Sequence, residues 1–376
     1  MIIEIKNRVL ESKLTIYYKI ILVLLFSRAI LFFVGFTSRY LLHPDDSLIN
    51  NMIGIWAQWD AGWYDNIAEK GYATDYGYNP YFGNQANYAF FPLYPMLIRF
   101  LVVLFNLKDY NVAGIIISNV FFVISSIYLY KISRLYYDEK QSFQVFLWFV
   151  AFPANFLFSC VLTEALYFSL VLICFYYAKK NKWFIVGLSG FFLALTRNLG
   201  VFIIVPLLLQ YLVNVKFKLF EIKYNVIYLL MIPAGFVAWG GYLYHITGDF
   251  LMFKNVQNTW GRISSQPISV IYNTIMNGRY LDLILVFYII GIIVFLLLNI
   301  KKIQVPYLLF IVYSLYIPLS TSVTSMIRYS IVIFPIYFLI MSAFKNEHAK
   351  YLLLYFMLLI QGLFFAFWSS GYPLIF

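Results

Sequence analysis

Charge is what this chain has least of. Asp, Glu, Lys and Arg make up 11% of its 376 residues, beside 63% hydrophobic side chains, too little polarity to cover a water-soluble domain of that length. Cysteine is nearly absent. Cys160 and Cys174 fall at an end and in the interior of adjacent antiparallel helices in the reading below, a poor placement for a bridge, so they say nothing about redox compartment and read as packing residues. The His and Cys residues show no metal-ligand spacing, and the adjacent acids Asp45 and Asp46 stand in a Pro-flanked loop without other ligands. The chain is expected to need neither metal nor cofactor. It carries no Rossmann fingerprint and no Walker P-loop, which removes a cytoplasmic nucleotide-sugar site and an ATP-driven pump. Internal repeats, linkers and soluble appendages are also missing, so residues 1–376 read as one membrane domain.

Long apolar runs fill the chain instead. The first, residues 17–36, carries Arg28 and lacks a small-residue cleavage site, which predicts a retained helix rather than a signal peptide. At roughly 20 residues per crossing, this run and those at 112–130, 143–158, 165–178, 184–196, 199–213, 226–246, 281–299, 305–318, 330–344 and 351–369 predict about eleven transmembrane helices. The fold class is an all-α polytopic membrane protein. Its net charge of +11 does not point to nucleic acid, because the basic residues are scattered through short loops rather than gathered on one face. Lysines near 131–140, 179–182, 216–223, 301–302 and 345–350 share a side with the basic N-terminus, which puts that side in the cytoplasm. Residues 90–105 are apolar but hold two prolines and Arg99, and a crossing there would invert each later loop. They are expected to lie as a helix in the outer interface. The extracytoplasmic loops are then 37–111, with juxtamembrane helices, and 247–280.

An acid on an apolar face needs a reason. With residues 56–70 read as a helix at about 100° per residue, Trp56, Trp63, Tyr64 and Ile67 share the side of Asp60, while Asp65 and Glu69 form a solvated face opposite. Asp60 therefore sits in an aromatic stripe, where a carboxylate is costly unless it meets a partner or a substrate. Arg197, Arg262, Arg279 and Arg328 fall at outer span ends. There a guanidinium either grips phosphate through paired donors or snorkels to ordinary headgroups. Glu164 opens an apolar run, where it supports the helix N-terminus or contacts an acceptor. His245 closes another run, as an interfacial structural residue or a second polar contact. The tyrosines 72, 76, 78, 81 and 88 occupy an irregular Tyr-, Asn- and Gly-rich loop, placed to stack on sugar rings or to line the interface.

The series Trp59-Asp60, Asn66-Ile67-Ala68-Glu69-Lys70-Gly71-Tyr72, Ala89-Phe90-Phe91-Pro92-Leu93-Tyr94-Pro95 and Leu97-Ile98-Arg99 resembles the glycosylphosphatidylinositol second-mannose transferases, the PIG-V-like family. A weaker likeness continues through Thr196-Arg197-Asn198-Leu199-Gly200, Gly248-Asp249 with Gln257 and Trp260-Gly261-Arg262, and Ile327-Arg328-Tyr329 with Phe334-Pro335. The resemblance implies a GT-C-like fold, a polyprenyl-phosphate sugar donor, inverting transfer of mannose and an acid in the first outer loop. Asp60 is then the catalytic base. Arg197, Arg328, Arg262 and Arg279 are candidates for the donor phosphate, and Trp59, Trp63, Tyr64, Glu164, Tyr94, His245, Gln257 and Trp260 for substrate contacts. The stretch from Asp249 to Arg279 is only loosely alike, so the acceptor stays a lipid or a glycan.

The expected partners are thus the lipid-linked donor, the acceptor and membrane lipids, with no nucleic acid. The protein is expected in the cell membrane, its N-terminus cytoplasmic and its active site extracytoplasmic. Two rivals share these features, a transporter or flippase of lipid-linked sugars and a lipid-linked glycan polymerase or ligase. A transporter more often shows paired halves or broken helices near the midplane, whereas the polar residues here cluster on one side.

Overall fold

The computed structural model describes the backbone of residues 2–44, 47–72, 77–79, 83–85, 87–344 and 346–372, and the side chains of 15–44, 47–72, 87–259, 261–344 and 346–372. Asp45 and Asp46 lie outside these residues. The first connecting region follows α1 (Ile2–Leu42) and holds α2 (Leu48–Gly54), α3 (Ala61–Lys70) and α4 (Leu93–Phe105). Then come α5 (Tyr110–Ser133), α6 (Glu139–Ala151), α7 (Glu164–Lys179), α8 (Trp183–Ala194), α9 (Ile204–Asn214) and α10 (Met231–Thr247). A second connecting region carries α11 (Met252–Asn255) and α12 (Pro267–Asn277), before α13 (Tyr280–Leu298), α14 (Val305–Leu319), α15 (Met326–Ile331), α16 (Pro335–Ala343) and α17 (Glu347–Ser369).

Five stretches are long and apolar enough to cross a bilayer: Thr15–Leu42, Tyr110–Ser133, Tyr224–Thr247, Tyr280–Leu298 and Glu347–Ser369. Shorter apolar helices stand at Leu93–Phe105, Trp183–Ala194, Asn198–Asn214 and Val305–Leu319. The chain is an integral membrane protein with multiple spanning helices. Their outward faces are apolar, as Leu25, Phe26 and Phe33 on α1 illustrate by being exposed, which suits contact with lipid rather than water.

Two expected spans are broken, each at a proline. The run 143–158 is helical only to Ala151, because Phe152 turns extended (ψ 135°) ahead of Pro153 and a 3-10 turn follows at Asn155–Ser159. Carbonyls freed at such a break must find donors inside the protein. Gln361 of α17 supplies them, its buried Nε2 donating to Val150 O (2.9 Å) and Phe152 O (2.7 Å). The run 330–344 likewise divides into α15 and α16, with Pro335 opening the second piece at a position where its missing N–H costs nothing.

The first connecting region also departs from an all-helical reading. Gly77–Asn79 (β1) pairs antiparallel with Gly83–Gln85 (β2), short strands that each begin with a glycine in the stretch expected to be irregular. The side chains of Tyr76, Tyr78 and Tyr81 lie outside the described residues. Tyr72 and Tyr88 are packed rather than presented: Tyr88 is fully buried, and the Tyr72 ring lies 4.7 Å from that of Trp239 while its hydroxyl donates to Phe90 O. In α4 the Tyr94, Ile98 and Val102 face is buried, and the face of Met96, Phe100 and Val103 is exposed. This two-faced helix walls the region beside α3 and α5.

Candidate active site

The chain approaches α3 through an uncommon turn. Trp59 has φ 54°, a left-handed conformation rarely taken by a bulky residue. Asp60 follows at the N-cap position, where its side chain makes no capping bond and is left for a tertiary partner. That partner is Arg328 of α15, whose Nη1 donates to Asp60 Oδ2 at 2.7 Å. Asp60 keeps 31% of its side-chain surface exposed, and Oδ1 has no partner among the described residues.

Behind this pair lies a second carboxylate. Glu164, in the first turn of α7, is fully buried; its Oε1 receives Arg328 Nε at 2.8 Å and also Arg197 Nη2. Arg197 is fixed further by Thr163 Oγ1, 2.6 Å from its Nε, and its guanidinium lies between the rings of Tyr167 and Tyr329. Two acids and two guanidiniums thus balance in a chain Asp60, Arg328, Glu164, Arg197. Burying such groups costs several kcal/mol each unless they are paired, and the alternation of sign supplies the pairing. Beside it, burial pushes the Tyr64 phenol above its ordinary pKa, with Arg197 acting against that rise and Asp60 adding to it. The phenol stays neutral at physiological pH.

These groups border a cavity of about 330 Å³. Asp60, Arg197, Arg262 and Arg328 line it together with Trp63, Tyr64, Phe90, Phe91 and Gln257, and hydroxyls enter from Thr196, Thr321, Ser322, Thr324 and Ser325. Trp63 stacks on Phe90 at 5.5 Å between ring centroids, and Tyr64 meets Phe90 edge-on. Arg197 reaches the wall through a close approach of backbone: a Cβ on Gly200 would come within 2.1 Å of Leu193 O, so glycine is required where the turn after α8 doubles back.

A family model described as Mannosyltransferase (PIG-V) matches residues 6–238, more than half of the chain. It belongs to the PIG-V mannosyltransferase family. No curated protein gives a significant match. The matched stretch holds Asp60, Glu164 and Arg197 and ends before Gln257, Arg262 and Arg328; the ion-pair chain ties the two parts of this mannosyltransferase into one site.

Of the residues singled out by sequence, Asp60, Trp63, Tyr64, Arg197, Gln257, Arg262 and Arg328 come together on the cavity wall. Others do not. Arg279 is exposed and paired with Asp282 three residues on; His245 is exposed on α10; Trp59 stands outside the cavity lining. Tyr94 is buried, its hydroxyl bonded to Gly114 O (3.0 Å) and Ser118 Oγ (2.7 Å). Glu164 reaches neither a helix cap nor the cavity surface, since both guanidiniums cover it. The side chain of Trp260 lies outside the described residues. Gly248 and Asp249 serve the backbone: Gly248 ends α10 at φ 76°, and Asp249 accepts Leu251 N and Asn255 Nδ2. The expected solvated face of α3 holds for Glu69 but not for Asp65, which is half-buried toward Asp109 at the start of α5.

The sequence reading missed the hydroxyl turn. Ser320-Thr321-Ser322-Val323-Thr324-Ser325 is a polar island between apolar runs, and that composition was the available signal.

Proposed function

We propose that this mannosyltransferase moves mannose from a polyprenyl-phosphate donor to a hydroxyl of a lipid or glycan acceptor, with inversion, in the cavity around Asp60. The supporting observation is the convergence there of three guanidiniums and one carboxylate oxygen without a partner among the described residues. Asp60 takes the acceptor proton as the acceptor oxygen bonds to the anomeric carbon and the anomeric carbon–phosphate oxygen bond breaks. The departing polyprenyl phosphate keeps the bond electrons, and guanidinium groups steady that charge. Arg262 suits this task best. It stands on the cavity wall without a carboxylate partner among the described residues, whereas Arg197 and Arg328 are engaged by Glu164 and Asp60.

The same reading takes the fold as GT-C-like with about eleven crossings, two of them interrupted at Pro153 and Pro335. The cavity then faces the extracytoplasmic side, where a lipid-linked donor is present and nucleotides are not. The positive-inside distribution of lysines supports that orientation, as does α4 with its exposed apolar face.

The test is incubation of purified protein with radiolabelled polyprenyl-phosphate mannose and membrane lipid extract. Covalent transfer by wild type, and transfer slower by roughly 10²-fold or more in Asp60→Asn, is expected. Label that crosses vesicles without covalent transfer would make the protein a carrier, and transfer undiminished in Asp60→Asn would remove Asp60 as base.

A further inference from the structure

The cavity has two chemically different walls. One bears Asp60, Arg197 and Arg328; the other, between α14 and α15, bears Thr321, Ser322, Thr324 and Ser325 and no charge. Three of these hydroxyls are occupied locally. Thr321 Oγ1 donates to Pro318 O at 2.9 Å, and Ser322 Oγ donates to Thr324 Oγ1 at 2.9 Å while accepting Thr324 N at 3.0 Å. The turn is braced from the second connecting region, where Ser265 N donates to Ser320 O at 2.7 Å.

Ser325 differs from its neighbours. It is 2% exposed, and its Oγ is buried with no hydrogen-bond partner among the described residues. Its backbone stands at φ 65°, where glycine rests easily and serine does not. An unmade buried hydrogen bond and a left-handed backbone both disfavour the fold. Glycine at this position would remove the two together. A hydroxyl kept there on a cavity wall points to a bound ligand as its missing partner.

We infer that Ser325 is a specificity-determining residue whose hydroxyl, after rotation about χ1, pairs with one hydroxyl of the mannosyl ring. This rests on the mannosyl-transfer reading of the same cavity. The donor phosphate is matched by the guanidinium wall. An uncharged wall of groups that both donate and accept matches the uncharged, hydroxyl-bearing ring instead. A site that leaves a buried polar group unpaired without its substrate rejects analogues lacking the complementary hydroxyl.

The experiment crosses enzyme variants with donor variants. Wild type, Ser325→Gly and Ser325→Ala are compared on polyprenyl-phosphate mannose and on each monodeoxy analogue. Wild type is expected to discriminate against one analogue by roughly tenfold to a hundredfold, as for loss of one buried hydrogen bond. That ratio should fall to about one in both variants, with folding of Ser325→Gly intact because its backbone is relieved. Discrimination that survives in both variants overturns the assignment. So does an equal loss of affinity for polyprenyl phosphate lacking the sugar, which would make Ser325 a phosphate contact. The same ratios are read from binding of mannose 1-phosphate and its deoxy analogues, so failure of the lipid donor is separable from failure of Ser325. Absence of any deoxy discrimination by wild type in that binding also overturns it.

Discussion

Asp60 and Asp65 stand about a turn and a half apart along α3 and meet opposite surroundings. Asp60 faces Arg328, which Glu164 holds from behind. Asp65 faces acids: its Oδ1 is buried without a partner among the described residues, and burial, then Asp109 and Glu69, push its pKa above the usual carboxylate value. Arg197, Arg262 and Arg328 stand on the cavity wall beside Asp60, while Arg279 is exposed and away from it. A buried ion-pair network is weak evidence for stability, since well-packed apolar groups often do as well. Its presence where a cavity opens argues that the charges are kept for chemistry.

Breaking the paired side should have the largest consequences. Asp60→Asn removes a base but keeps the shape and a hydrogen-bond acceptor for Arg328. It is expected to lower kcat by roughly 10²- to 10⁴-fold with little change in thermal midpoint in detergent. Glu164→Ala separates activity from architecture. It leaves Arg197 and Arg328 facing each other without the carboxylate between them, so stability should fall by roughly 3–5 kcal/mol and transfer should fall with it. A Glu164→Ala protein of normal stability would show that the two guanidiniums are solvated rather than held.

Arg262→Ala sharpens the comparison within the cavity. Because this cation has no carboxylate partner among the described residues, its loss should spare folding and raise the donor KM by roughly tenfold to a hundredfold. Arg279→Ala is the control, because Arg279 is exposed and bonded only to Asp282 among the described residues. An equal effect of both variants would mean that net positive charge, rather than the cavity, attracts the donor.

Much of the fold was legible because bilayer-length apolar runs impose helices whatever their neighbours. The family and the acid at position 60 were legible for a local reason: Trp59 to Tyr64 and Phe90 to Arg99 keep their meaning within a few residues. The interruptions at Pro153 and Pro335 were less so, because an apolar run scored by hydropathy hides a proline; at Pro153 the tertiary structure accommodates it through Gln361. Glu164 was visible as a residue but not as a counter-ion, since its partners come from positions 197 and 328. The hydroxyls of Thr321 to Ser325 went unread because serine and threonine between spans look like any polar loop. Only the position of α15 turns them toward a cavity.

The smallest expected effect tests the unpaired side. Since the folded pKa of Asp65 is raised, the fold prefers its protonated form. Stability linked to this group is complete below the ordinary carboxylate value of about 4 and is lost as pH rises through the raised value. Asp65→Asn keeps the neutral form at every pH, so its thermal midpoint should exceed that of wild type near neutrality, and the gap should close on acidification toward about pH 4. Asp109 is the poorer place for this test, because its carboxylate also caps α5 through Asn111 N and Val112 N. A gap of constant size across the titration would trace the gain to packing instead of charge, and the contrast between the two carboxylates would then rest on Asp60 alone.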